Sequence, residues 1–296
     1  MLMNNLKQNT MKSYQFILII LLGLSLYNCD KEDDIIVDEV PYKRVHMYDT
    51  NSSNKVIKFI SQYYYTYDHF LITDPDSSDY LYNFSSKNEL LEITPPEQDE
   101  EHLWKGIEFL KELLLDFYST DFIKNHFPYS IILVDEIADP VFGLPANCYT
   151  GRYFCCVTIQ DMDNMSPEEK AYYSAELHEA IWFQIGLYEE NFLDLPDGFF
   201  TISFEYYNYN NLFALWPREQ HYEIGIARNK LEQWEATWLP TKGEDVGTWI
   251  RFLIETPDDE IQEIINTYEA MRTKYEILVK ALERVGIDYK KLRYTK

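Results

Sequence analysis

Ala175-Glu176-Leu177-His178-Glu179-Ala180-Ile181-Trp182-Phe183-Gln184-Ile185-Gly186 sets a His-Glu pair inside a mostly apolar run that reads as helix. Ionisable side chains in such a run cost free energy unless they are paired, hydrogen-bonded or metal-bound. In the pattern H-E-x-x-H, imidazoles four residues apart share one helical face and grip the same zinc ion. The Glu between them is then the general base for the metal-bound water. His178 and Glu179 supply the first half of that pattern, but the second His position is Trp182. Indole offers an N–H donor and no lone pair, so it cannot be a ligand.

Upstream, Ser166-Pro167-Glu168-Glu169 is a helix start: a Ser N-cap, Pro in the first turn and Glu at the capping-box position. The helix it opens should run through His178 and Trp182 to about Leu187. Before it, Ser130-Ile131-Ile132-Leu133-Val134 reads as a buried strand, residues 135–147 as loop, and Cys148 to Gln160 as a hairpin or edge strand. Leu103, Ile107, Leu110, Leu114 and Phe117 recur at helical spacing after Pro95-Pro96. Between Val56 and Phe84 the aromatic text fits short strands or a helix equally well. Downstream, Gly225 to Trp238 and Glu244 to Ile254 look helical. Ile261, Ile265, Tyr268, Tyr275, Val279 and Leu282 line one long final helix, started at Thr256-Pro257-Asp258-Asp259 and ended by Gly286. No internal repeat interrupts this order.

With 296 residues and 46% hydrophobic content, the chain is long enough for a substantial core. A formal charge of −24 argues against nucleic acid and anionic membrane surfaces as partners, because both call for basic patches. At the amino end, Lys7 and Lys12 precede an apolar run from Phe16 to Leu26, and no acid comes before Asp30. That is the pattern of a secretory signal, too short to span a bilayer as a mature helix. Leu26-Tyr27-Asn28-Cys29 resembles a relaxed bacterial lipobox, which makes Cys29 the expected lipidation site and residues 1–28 the signal peptide. The following Asp30-Lys31-Glu32-Asp33-Asp34 resembles a surface-export signal, within an acidic tether of residues 29–55. A lipidated Cys29 leaves Cys148, Cys155 and Cys156, an odd count with at least one thiol unpaired in the chain. Cys148 and Cys155 flank Thr150-Gly151-Arg152 and could face each other across a hairpin.

Four further landmarks stand in order. These are Asp121-Phe122-Ile123-Lys124-Asn125-His126-Phe127-Pro128 before the strand, His178-Glu179, Glu244-Asp245-Val246-Gly247, and Gly286-Ile287-Asp288-Tyr289-Lys290-Lys291-Leu292-Arg293. Together, over roughly residues 100–296, they resemble the substrate-import-associated zinc metallohydrolase lipoproteins, a zinc-binding metallopeptidase family. Its members accompany outer-membrane nutrient importers and their glycan-binding lipoprotein partners in Gram-negative bacteria. The resemblance implies an α+β, zincin-like single domain over residues 56–296, mostly helical with a small mixed sheet. It also implies zinc as cofactor, with His178 and Glu244 at ligand positions and Glu179 at the general-base position.

The chain departs from that pattern at Trp182, and at Ile185 where relatives often carry another His. Two protein ligands fall short of the three that catalytic zinc normally takes. His221, Glu189 and Glu190 are the conceivable substitutes, though their spacing favours none of them. The sequence therefore leads to an expected surface lipoprotein with a degenerate metal site, zinc absent or weakly bound, acting as an accessory or binding subunit of an importer. An active zinc hydrolase with an atypical ligand set is the alternative. A third reading is a glycan-binding lipoprotein using Tyr206, Tyr207 and Tyr209, since Tyr and Asn mixed as in residues 206–211 can stack on and hydrogen-bond to sugars.

Overall fold

A computed structural model describes residues 48–80, 92–138, 145–207, 216–228, 236–237 and 239–295. The signal, the lipobox with Cys29 and most of the tether lie outside the described residues. Helix α1 (Lys55–Tyr67) opens on an Asn54 cap and closes on Asp68, whose left-handed backbone turns the chain into strand β1 (Phe70–Ile72). Strand β2 (Glu92–Thr94) precedes helix α2 (Glu100–Leu113), capped by the Asp99 carboxylate. Helix α3 (Thr120–His126) then leads into strands β3 (Ser130–Val134) and β4 (Glu136–Ala138), followed by β5 (Cys148–Thr150) and β6 (Phe154–Thr158).

The main sheet has the order β1-β3-β6-β5, with the first three strands parallel and β5 antiparallel at one edge. Every residue of β3 is buried, as expected of a strand covered on both faces. Ile131, Leu133, Cys155 and Val157 point into the large core, while Ile132, Val134 and Cys156 pack a smaller one with Ile72 and Phe154. Residues 136–138 are strand rather than loop: β4 pairs antiparallel with β2. The hairpin register sets Cys148 opposite Val157 and Thr150 opposite Cys155, so the two cysteines are offset by a pair and all three described thiols are free.

Helix α4 (Pro167–Tyr188) follows with the expected Ser166–Glu169 capping box and Pro at its start. Its buried residues run from Tyr173 to Ile185 around most of its circumference, which is the pattern of a helix threaded through a core. Helix α5 (Lys242–Glu255) packs along it, opened by a Thr241–Glu244 capping box. Small residues allow that approach. A Cβ on Gly247 would stand 2.7 Å from the Glu179 carbonyl oxygen and 3.1 Å from the Phe183 nitrogen, both backbone atoms of α4.

Two expectations fail in the last third. Gly225 does not start a helix but ends the short one at Arg218–Glu223, adopting φ +77 where a left-handed residue suits a helix terminus. The carboxy-terminal helix is two helices, α6 (Asp258–Thr267) and α7 (Glu269–Arg284), broken at Tyr268 in an extended conformation. Arg272 reaches back to the carbonyls of Ile265 and Asn266, giving partners to groups that the break releases. Gly286, at φ +78, follows the end of α7. The described part is mostly helical with a small mixed sheet, and no described helix is long and apolar enough to cross a membrane.

The Gly247 contact yields a prediction. Gly247→Ala should cost about 1–3 kcal/mol in urea unfolding, because neither backbone atom can yield without parting the helices. Gly198→Ala, whose Cβ would meet only Ile277 Cδ1 at 3.8 Å, should stay within about 0.5 kcal/mol of the parent. Equal effects at the two sites would contradict the packing described here.

Candidate functional site

His178 lies at the middle of α4 and is completely buried, as is Trp182 one turn on. Their side chains meet at a third residue, Tyr118, just after the 3₁₀ turn Leu115–Phe117. The Trp182 indole N–H donates to the Tyr118 hydroxyl oxygen at 2.9 Å, and that oxygen stands 2.6 Å from His178 Nδ1. Indole can only donate, so the Tyr118 oxygen is an acceptor and its own proton is free for Nδ1. The imidazole proton then sits on Nε2, which has no partner among the described residues. The opposite tautomer would strand two groups instead of one, the hydroxyl proton and the Nε2 lone pair.

Aromatic rings wall the triad in. Phe122 stacks on Tyr118 with centroids 4.6 Å apart, Phe127 meets it edge-on at 5.2 Å, and Phe117 sits edge-on to His178 at 5.1 Å. Burial in this shell pushes the imidazole from 6.5 down to about 3. The same burial raises the Tyr118 phenol well above its ordinary value, against a smaller opposing effect of the Trp182 hydrogen bond. Both groups are neutral across the physiological range.

Glu179 points elsewhere. Its carboxylate accepts from Arg251 Nη1 at 2.7 Å, and Arg251 Nε donates to Glu255 at 2.8 Å. Arg251 Nη1 also lies 3.3 Å from Glu176, and the guanidinium covers the Tyr172 ring at 4.6 Å. Three carboxylates thus share one buried cation, which holds α4 and α5 together and raises the guanidinium's proton affinity against the cost of its burial. The Glu179 carboxylate thus meets Arg251 and is not hydrogen-bonded to His178 Nδ1, which faces Tyr118.

Glu244 does not reach His178 either. It is exposed, and its carboxylate accepts from the Thr241 backbone N–H at 2.6 Å as the second half of the capping box. Its neighbour Asp245 is the inward residue. Asp245 is wholly buried and accepts from Lys274 Nζ at 2.6 Å and from the Tyr207 hydroxyl at 2.5 Å. Lys274, also wholly buried, donates in addition to the Ser203 hydroxyl at 2.9 Å and lies over the Phe199 ring. Burial lowers its proton affinity and Asp245 opposes that shift. This group ties α5 to α7.

Other residues singled out in the sequence separate as well. Glu189 pairs with His126 Nδ1 at 2.6 Å, at the far end of α4. His221 is buried in its short helix. Tyr206 packs edge-on to Trp216 at 5.7 Å, Tyr207 spends its hydroxyl in the Asp245–Lys274 group, and Tyr209 lies outside the described residues.

Tested for zinc, the centre offers one imidazole with Nδ1 engaged and a single Nε2 without a neighbouring donor. Among the described residues, no three His, Cys, Asp or Glu side chains converge to hold a metal ion. A catalytic site asks for three protein ligands and an open position, and the described side chains do not fit that requirement. Sequence reasoning missed Tyr118, Arg251 and Lys274. Tyr118 follows an apolar helical repeat and carries no local signal of its role, while Arg251 and Lys274 look like surface charges until the helices are packed.

No family model matches the chain, and no curated protein matches it. Among solved structures, it is similar to one described as a "putative zinc-binding metallo-peptidase" from Bacteroides caccae, with 13% sequence identity and a TM-score of 0.49. The match covers 79% of this chain and 87% of the other.

Two outcomes follow from the triad. Tyr118→Phe leaves the Trp182 N–H and His178 Nδ1 buried without a partner, and should cost about 2–4 kcal/mol in chemical unfolding. An unchanged midpoint would contradict the triad. The second concerns pH. Folded His178 refuses a proton that the unfolded chain accepts below its ordinary value of 6.5. Its stability contribution is therefore complete above that pH and is lost as pH falls towards about 3. His178→Gln, which keeps an acceptor for Tyr118, should flatten the acid limb of a thermal stability profile between about pH 6 and 4. A parallel limb in parent and variant would count against a neutral, buried His178.

Proposed function

We propose that the chain is a non-catalytic relative of zinc metallohydrolases, a surface lipoprotein acting as an accessory or binding subunit beside an outer-membrane nutrient importer. One observation carries the non-catalytic part: the Trp182 indole N–H reaches the Tyr118 hydroxyl, which in turn meets His178 Nδ1. In place of a second metal-binding nitrogen, the helix presents a donor that locks the first imidazole into the hydrophobic core. Glu179, at the position of the general base, is held by Arg251. The lipoprotein and importer parts rest on Cys29 at the end of the apolar run, the acidic tether and the order of the sequence landmarks.

Metal content is the direct test. Purified chain, dialysed against buffer with added zinc, should hold well below one equivalent by elemental analysis and should not hydrolyse a broad peptide library. Near-stoichiometric zinc, lost together with hydrolysis in Glu179→Gln, would overturn the proposal in favour of an active hydrolase with an atypical ligand set.

A further inference from the structure

The parallel strands of the main sheet begin in register, with Phe70, Ser130 and Phe154 side by side. The residues just before them form one row along the rim: His69, Tyr129 and Tyr153. Backbone hydrogen bonds fix that row, from Phe70 N–H to the Tyr129 carbonyl at 2.9 Å and from Ser130 N–H to the Tyr153 carbonyl at 3.0 Å. Six large apolar side chains are exposed among the described residues, and four of them are Tyr65, Tyr129, Tyr153 and Tyr188. Single exposed apolar residues need no explanation, but a connected set does.

These tyrosines are connected and supported. Phe70 braces Tyr129 edge-on at 4.9 Å, and Tyr64 does the same for Tyr65 at 5.6 Å. Tyr48 stacks on Tyr64 at 4.4 Å beneath. At the other end, the Arg152 guanidinium lies 5.3 Å from the Tyr153 ring and 5.5 Å from Tyr188, joining the two. Tyr129 is 56% exposed and Tyr153 51%, so each presents a large part of its ring to solvent while its backbone is held by the sheet.

We infer that this rim binds a neutral glycan chain, whose pyranose rings stack on the exposed tyrosines across the ends of the strands. Several features select that ligand class. Tyr65, Tyr129, Tyr153 and Tyr188 each combine an apolar ring face with a hydroxyl, which suits a ligand that offers both apolar ring faces and hydrogen-bonding oxygens, as a sugar does. Neighbouring strands lie about 4.8 Å apart, roughly the length of one sugar residue, so rings on adjacent strands can meet successive units of a chain. A net charge of −24 disfavours anionic polymers, uronate-rich glycans and nucleic acid among them. Rings already braced by neighbours lose little freedom on binding. The inference names a ligand class for a binding subunit but uses none of the residues of the His178 centre. Zinc at His178 would overturn the preceding proposal and leave this one standing.

The test is native affinity electrophoresis of the full chain through gels containing soluble neutral polysaccharides: an α-glucan, a β-glucan, a mannan, a xylan and a galactan. At least one should retard the protein. Tyr129→Ala with Tyr153→Ala should weaken that retardation about tenfold or more, while its mobility in a gel without polysaccharide and its cooperative thermal unfolding show that the variant is folded. The corresponding pair of Tyr→Phe changes should keep most of it. Two results overturn the inference: no retardation by any member of the panel, or retardation that survives the double Ala substitution.

Discussion

The hydroxyl of Tyr118 is the atom on which the centre of this protein depends. It accepts from Trp182 and meets His178, two side chains that a helix places on one face at a spacing of four residues. In a zinc hydrolase that spacing delivers two lone pairs to a cation. Here the second position delivers a proton donor, and the Tyr118 hydroxyl meets both side chains. The aromatic shell of Phe117, Phe122 and Phe127 excludes water, so the three polar groups must satisfy one another. A single nitrogen, His178 Nε2, is left over.

Around that centre the packing of α4 against α5 turns ionisable residues into fasteners. Arg251 gathers Glu176, Glu179 and Glu255 on one side of α5, while Asp245 pairs with Lys274 on α7. Buried pairs of this kind add little net stability compared with apolar replacements of equal volume, but losing one partner leaves an uncompensated charge. Their effect is to fix which faces meet. Glu179 belongs to this group through its 2.7 Å contact with Arg251.

Much of the path of the chain was legible in its sequence. The Ser166–Glu169 capping box, the β3 run and the Leu103 to Phe117 repeat each carry a local physical signature. The first two form the element they signal, and the repeat forms α2 as far as Leu113, with Leu115–Phe117 a 3₁₀ turn instead of its continuation. What failed depended on partners distant in sequence. Residues 136–138 become strand because β2 lies beside them, and the final helical pattern splits at Tyr268 because Arg272 can cap the carbonyls released there. Gly225 was misread as the start of a helix for a simpler reason: its left-handed backbone ends one. At the site, the sequence located His178, Glu179 and Trp182 on one helix and identified the indole as the departure. It could not show that the indole has a function of its own, because Tyr118 lies 64 residues away and looks like one more aromatic residue. Glu244 and Asp245 illustrate the same limit. Adjacent acids are interchangeable on paper, and only the helix phase decides that one caps and the other is buried.

The most direct measurement is of the His178 imidazole itself, by long-range proton–nitrogen correlation NMR of protein labelled at its histidine nitrogens. The triad predicts a neutral ring protonated on Nε2, unchanged from about pH 8 to pH 5, and unmoved by one equivalent of added zinc. A ring that titrates near its ordinary value of 6.5, or whose nitrogen shifts on adding zinc, would contradict the account.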